Sequence, residues 1–178
     1  MLQASAETGD VTMQFAHVAW SATVIMRAAA DPTWRWDVTD MNDWNKRVIE
    51  EFRANGGKVS GQMEGWPLVL LHHVGAKSGV ERVTPLVYQP LGDASSVAIF
   101  ASKAGAPTNP DWFHNLVANP STVIEIGSET RPVIARVAEG EERDRIFETQ
   151  KQLASNFAEY EKSAGSRTIP VVVLDPAA

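Results

Sequence analysis

Hydrophobic positions along this chain alternate between helical spacing and short unbroken runs of strand length, with turn residues separating most segments. In residues 11–30, Phe15, Val18, Trp20, Val24, Ile25 and Met26 read as a helix, although Gln14, His17 and Arg27 interrupt its apolar face. Farther on, Trp44, Val48 and Phe52 recur at i, i+4 and i+8; Asn42 can cap the helix they predict and Gly56-Gly57 can end it. Apolar runs at 66–74, 83–91 and 97–101 follow, divided by turns at 75–79 and at Gly92-Asp93, and they predict a meander of strands. Pro110 and Asp111 open a short helix through Ala118, which Asn119-Pro120 stops. Two more strands, 122–126 and 131–137, join at Gly127-Ser128. The charged stretch 140–162 carries Ile146, Phe147, Gln150, Leu153, Phe157 and Tyr160 near helical spacing and is expected to be one amphipathic helix. A last strand is predicted over 169–174. About six short strands with few helices point to an α+β chain, mainly β: a small antiparallel barrel with helices packed outside it.

Composition narrows this picture. The chain has 178 residues, 44% hydrophobic and 21% charged, enough to bury a core of its own. Residues 1–40 hold only two basic residues, Arg27 and Arg35, and are expected to form a helical N-terminal extension ahead of a domain over 41–178. Met41 is expected to be a natural start. The 11–30 segment is too interrupted for a spanning helix and lacks the basic start of a secretory signal. Docking on the domain is favoured for it, with peripheral contact at a membrane surface as the alternative. A net charge of −6 argues against a non-specific nucleic-acid binder. The absence of cysteine removes disulfides, thiolate nucleophiles and Cys-type zinc sites, and suits the cytoplasm.

Two segments carry the candidate chemistry. In 74–88 and in 102–115, glycine, a basic residue and a small hydroxyl share a turn beside an apolar strand, which is how a backbone is brought against an anion. Lys77 and Arg82 flank one turn and Lys103 sits at the exit of the third strand, so three cations can converge on one end of a barrel; the alternative is solvated surface charge. Trp112 and Asn115 lie three apart on a short helix, where they can wall and orient a planar ring or else serve as core and cap. His72 and His73 are neighbours on a strand and point to opposite faces, so they cannot share a metal, and no ligand cluster marks a metal site. No serine sits in a Gly-x-Ser-x-Gly elbow, and the 75–79 turn lacks the spacing of a Walker phosphate loop.

The ordered motifs GAKSGVERVTPL at 75–86, ASKAGAPTNPDWFHNLVANP at 101–120 and RTIPV at 167–171 closely resemble the deazaflavin-dependent nitroreductase family of actinobacteria, over about residues 42–176. The resemblance implies a split β-barrel related to FMN-binding barrels, with coenzyme F-420 as hydride carrier and a small electron-poor acceptor: a quinone, an activated alkene or a nitroaromatic. It implies that Ala76, Lys77, Ser78 and Arg82 hold the phosphate and oligoglutamate tail. Val83, Thr84, Pro85, Leu86 and Val87, with Phe100, Ala101, Ser102 and Lys103, would line the ring. Asp111, Trp112, Phe113, His114 and Asn115 would close the site from the helix, Trp112 as a wall and Asn115 as a positioning amide. Ser102 would lie near the reactive edge, and Phe157 and Tyr160 over the acceptor, with Ser102 and Tyr160 as proton-donor candidates. Phe157 stands where nitroreductases of the family carry a tyrosine, which turns the expectation away from nitroimidazoles. An FMN-dependent barrel oxidoreductase and a non-catalytic deazaflavin carrier remain as alternatives, and a homodimer is left open.

Overall fold

The helix opened by the Trp44, Val48 and Phe52 face runs over Val38–Ala54 (α1), and it is the first element of the computed structural model, which describes residues 38–92 and 94–177. The helix expected over 11–30 lies outside the described residues. Val48 and Phe52 are buried, and Trp44 and Ile49 pack with them against Val59, Leu68 and Leu70. Each such side chain withdrawn from water contributes roughly 1.5–3 kcal/mol.

Six strands follow: β1 (Leu68–Val74), β2 (Glu81–Leu91), β3 (Ser96–Phe100), β4 (Ser121–Ile126), β5 (Glu129–Val137) and β6 (Val171–Pro176). They close into a barrel in the order β1-β2-β3-β6-β5-β4, with every neighbouring pair antiparallel. The barrel and its six strands match the sequence expectation, and the last strand is shifted by two residues toward the C-terminus.

Period-2 alternation explains how a thin wall serves two cores. Val97, Ile99 and Ala101 point into the barrel with Val69, Leu71, Ile124, Val133, Val172 and Leu174. Their neighbours Ala98 and Phe100 point outward and are covered by α3 (Gly140–Leu153) and α4 (Asn156–Ser163), through Ile146, Phe147 and Phe157. The remaining helix, α2 (Asp111–Ala118), lies as expected and buries Trp112 and Leu116 in the barrel's interior cluster.

One expectation is corrected here. The stretch 140–162 is two helices, because Ala154 adopts an extended backbone (φ −143°, ψ 92°) that breaks the ladder. The methyl of Ala154 is buried, whereas Leu153, counted in the apolar face, is 48% exposed. Burying Ala154 turns the chain and starts α4 in a new direction.

Barrel closure is uneven. Seven register pairs join β1 to β2, from Leu68↔Val87 to Val74↔Glu81. Only Leu70↔Glu125 and Leu71↔Ile124 join β1 to β4. Side chains reinforce that short ladder: Arg53 Nε on α1 donates to Glu125 Oε2 at 3.0 Å, and the His72 ring sits between Glu125 Oε1 (2.8 Å) and Glu81 Oε1 (3.1 Å). The Thr122 hydroxyl donates to the His72 carbonyl. The Arg53 hydrogen bond is the main cause holding the Glu125 carboxyl below its ordinary pKa.

Candidate active site

Antiparallel alternation places the ends of β1 and β3 and the starts of β2 and β6 on one rim of the barrel. The 75–79 turn, the loop after β3 and the approach to β6 therefore meet there.

The turn is closed by its own backbone. Gly75 N–H donates to the Val80 carbonyl at 2.9 Å, Gly79 N–H to the Gly75 carbonyl at 2.8 Å, and Val80 N–H to Ser78 Oγ at 3.3 Å. A Cβ at Gly75 would stand where Ser78 Oγ lies, so a side chain there would turn the Ser78 hydroxyl away from Val80 N–H. Ala76 N–H donates to Asn115 Oδ1 on α2 at 2.9 Å. The N–H groups of Lys77 and Ser78 have no protein acceptor, and both residues are exposed. Arg82 stands opposite His73 across the β1–β2 ladder and is exposed. Ion pairs among the described residues engage Lys46, Arg53, Arg131, Arg136, Arg143, Lys151 and Lys162, and leave Lys77 and Arg82 unpaired. Successive free N–H groups beside two unneutralised cations form a receptor for a phosphate or carboxylate.

The loop after β3 is organised from a distance. Arg167, between α4 and β6, donates from Nη1 to the Ala101 carbonyl (3.1 Å) and Asn109 Oδ1 (2.8 Å). Its Nη2 donates to the Ser102 carbonyl (2.8 Å) and its Nε to the Ala106 carbonyl (2.9 Å). Partial burial pulls its pKa below the ordinary value, yet a guanidinium stays charged. Within the loop Lys103 and Ala104 take left-handed backbone angles (φ 48° and 50°), and Lys103 Nζ donates to Thr108 Oγ1 at 3.2 Å. Gly105, at φ 78°, lies against α4: a Cβ there would stand 2.6 Å from Ser163 Cβ and 2.9 Å from the Tyr160 carbonyl oxygen. Gly105→Ala is expected to cost about 3 kcal/mol, from left-handed strain plus overpacking, and to displace the Ser102 loop. Thermal unfolding together with steady-state activity checks this.

This contact brings the two proton-donor candidates onto adjoining segments. Ser102 is half-buried at the loop's start; Tyr160 is half-buried on α4, where its hydroxyl oxygen accepts from Asn156 Nδ2 at 3.1 Å and keeps its own proton to give.

Several of the expected site residues turn their side chains into the protein. Trp112 is 6% exposed and packs within the barrel core. Phe157 is buried edge-on to Phe100, ring centroids 5.2 Å apart, so Phe100 and Phe157 are packing residues and Tyr160 alone of the α4 pair has surface to offer. Ala101 is fully buried. Val83 and Val87 pack beneath α1 and Pro85 is buried, whereas Leu86 packs with the interior cluster and Thr84 bonds His73. Phe113 is half-buried against the interior cluster, with exposed His114 edge-on to it. The Asn115 amide is spent on Ala76 and on His73, which sequence reading left without a role, as it did Arg167 and Asn109. An arginine just ahead of a buried β-strand was the available signal for Arg167.

Among the described residues no group of three or more His, Asp or Glu side chains could hold a metal, and no helix is long and apolar enough to cross a membrane. A surface pocket of about 400 Å³ shares no residue with the rim; it lies under α3 between Gln89, Ser96, Arg136 and Asp175.

The closed six-stranded antiparallel barrel with helices packed outside it has the architecture of a split-barrel oxidoreductase. The chain belongs to the F420H(2)-dependent quinone reductase family, whose model matches residues 44–176. It is 37% identical over 126 residues to an F420H(2)-dependent quinone reductase of Mycobacterium tuberculosis, covering 69% of this chain and 83% of that one. A solved F420-H2 dependent reductase is 36% identical with a TM-score of 0.55, covering 61% of this chain and 94% of that one. A second solved relative, described as a domain-swapped dimer, is 32% identical with a TM-score of 0.56, covering 78% of this chain and all of that one. The cofactor of the family is coenzyme F-420, and the donor set of the rim fits it, since a tail of phosphate and carboxylates matches free N–H groups, Lys77 and Arg82.

Proposed function

We propose that this protein reduces a small electron-poor acceptor, in the first place a quinone, with an activated alkene or a nitroaromatic as substitutes of similar electron demand. The observation that carries the reading is the 75–79 turn, with its unpartnered N–H groups and the unpaired Lys77 and Arg82. Lys77, Ser78 and Arg82 hold the tail, Arg82 by its planar fork and Lys77 as a point charge. Thr84, Leu86, Ser102 and Lys103 border the ring, and Asp111, Phe113 and His114 close it from α2. Bound reduced coenzyme F-420 supplies the hydride.

Two-electron reduction of a quinone consumes one hydride and one proton. Tyr160 and Ser102 are the hydroxyls placed to relay that proton from solvent. Residues 41–178 form the catalytic domain in this reading, with residues 1–40 as an extension, and association of two copies finds support in the domain-swapped relative.

Titration with oxidised F-420, and separately with FMN, tests the reading by fluorescence quenching. Saturable binding of F-420 at least about tenfold tighter than FMN is expected, equivalent to ~1.4 kcal/mol. Equal or tighter binding of FMN overturns it, as does the absence of quinone-dependent oxidation of the reduced coenzyme.

A further inference from the structure

His73 is 4% exposed and Asn115 8% exposed, and between them runs a chain of hydrogen bonds with only one consistent direction. Ala76 N–H can only donate, so the Asn115 atom 2.9 Å away is its carbonyl oxygen. The other end of that amide is then the NH2 group, which donates to His73 Nδ1 at 2.9 Å. Nδ1 therefore carries a lone pair, and His73 holds its proton on Nε2, 3.0 Å from the hydroxyl of Thr84. We propose that His73, acting through Asn115, is a positioning residue for the 75–79 turn that receives the coenzyme's anionic tail, and that protonation of His73 releases the turn. The inference rests on the functional reading above for the identity of the tail.

The release follows from donor and acceptor counting. A proton on Nδ1 sets two donors face to face, and the amide must turn over to restore an acceptor toward His73. Its NH2 then faces Ala76 N–H, whose bond is lost. The groups around the ring are Arg82 and Thr84 from β2, Asp111 and Asn115 from α2, and His72 on the opposite face of β1. Burial, and then the Arg82 and His72 charges, push the His73 pKa below its ordinary value, with Asp111 opposing them. The neutral ring is thus the folded form at neutral pH. By linkage its contribution to stability is complete above the unfolded value near 6.5 and falls as pH drops toward the lower folded value.

The experiment uses the full chain, His73→Leu and Asn115→Asp, each first checked by thermal unfolding. Quenching titrations between pH 8 and 5 employ F-420 and a deazaflavin with the ribityl chain but no phosphate; the dissociation constant of the phosphate-free compound divided by that of F-420 isolates the tail's contribution. In the unsubstituted protein that ratio should fall about tenfold more on acidification than in His73→Leu, the equivalent of one lost hydrogen bond. The comparison cancels titration of the ligands themselves. Asn115→Asp should resist the fall, because one carboxylate oxygen still accepts from Ala76 while the other accepts from protonated His73.

A coenzyme-free arm follows the Ala76 amide and the His73 ring by 15N NMR. The amide shift should move with the His73 midpoint and stay still in His73→Leu; should His73→Leu fail to fold, Asn115→Asp carries the comparison. An Ala76 amide that ignores His73, or a tail ratio that falls alike in all three proteins, overturns the inference. Tracking of the two signals without any F-420 binding overturns the functional reading instead, and with it the ligand assigned to the turn.

Discussion

Substituting both Lys77 and Arg82 by alanine is expected to weaken F-420 binding about a hundredfold and to leave the melting temperature nearly unchanged. Charge-assisted hydrogen bonds contribute about 1.5–3 kcal/mol each, so losing two removes roughly 3 kcal/mol or more of binding. Folding has little stake in either residue: both are exposed, and neither pairs with a carboxylate. Tight binding of the phosphate-free deazaflavin should survive the double substitution. Should F-420 bind the double variant as well as the parent, the cations are surface charge and the tail lies elsewhere. Unfolding of the double variant would instead make the cluster structural.

A larger effect on both stability and turnover is expected for Arg167→Ala. The guanidinium is the common donor to the carbonyls of Ala101, Ser102 and Ala106 and to the Asn109 amide. Its removal leaves several partly buried acceptors without a partner, which costs about 3 kcal/mol, or about 10 °C in melting temperature for a chain of this size. Because the same loop carries Ser102 and Lys103 and rests on α4 through Gly105, kcat should fall by at least about tenfold, a loss of ~1.4 kcal/mol in the barrier. Arg167→Lys keeps the charge but not the fork, and should recover less than half of either loss. Melting curves and steady-state kinetics on the three proteins decide it; a stable, fully active alanine variant would refute the bracing role.

What could be read from the residues and what could not differ for physical reasons. Apolar runs bounded by glycine placed all six strands, because a half-buried strand writes its burial into consecutive residues. The Trp44, Val48 and Phe52 face did the same for α1. The break between α3 and α4 left no such trace: Leu153, Phe157 and Tyr160 keep helical spacing across Ala154, so periodicity cannot see one extended residue. Trp112 was assigned to a site wall because spacing shows which residues share a face, not which face meets the core. For the run 83–87 the strand period divides the residues, sending Val83 and Val87 under α1 and turning Leu86 toward the barrel's interior cluster and Thr84 toward His73. Long-range bonds such as Arg167 to Ser102 or Asn115 to Ala76 depend on chain segments that meet only after folding, and no local pattern announces them.

The uneven closure of the barrel gives the molecule a seam. The ladder between β1 and β4, with two register pairs, leans on Arg53, Glu125 and His72. This ladder is the shortest of the six, so acid that discharges Glu125 is expected to loosen β1 from β4. Glu125 holds its charge there below its ordinary titration range, so its contribution stands above that range and fades as acid reaches its lowered pKa. The 75–79 turn begins at the far end of β1, so the same strand carries that turn and forms one lip of the seam.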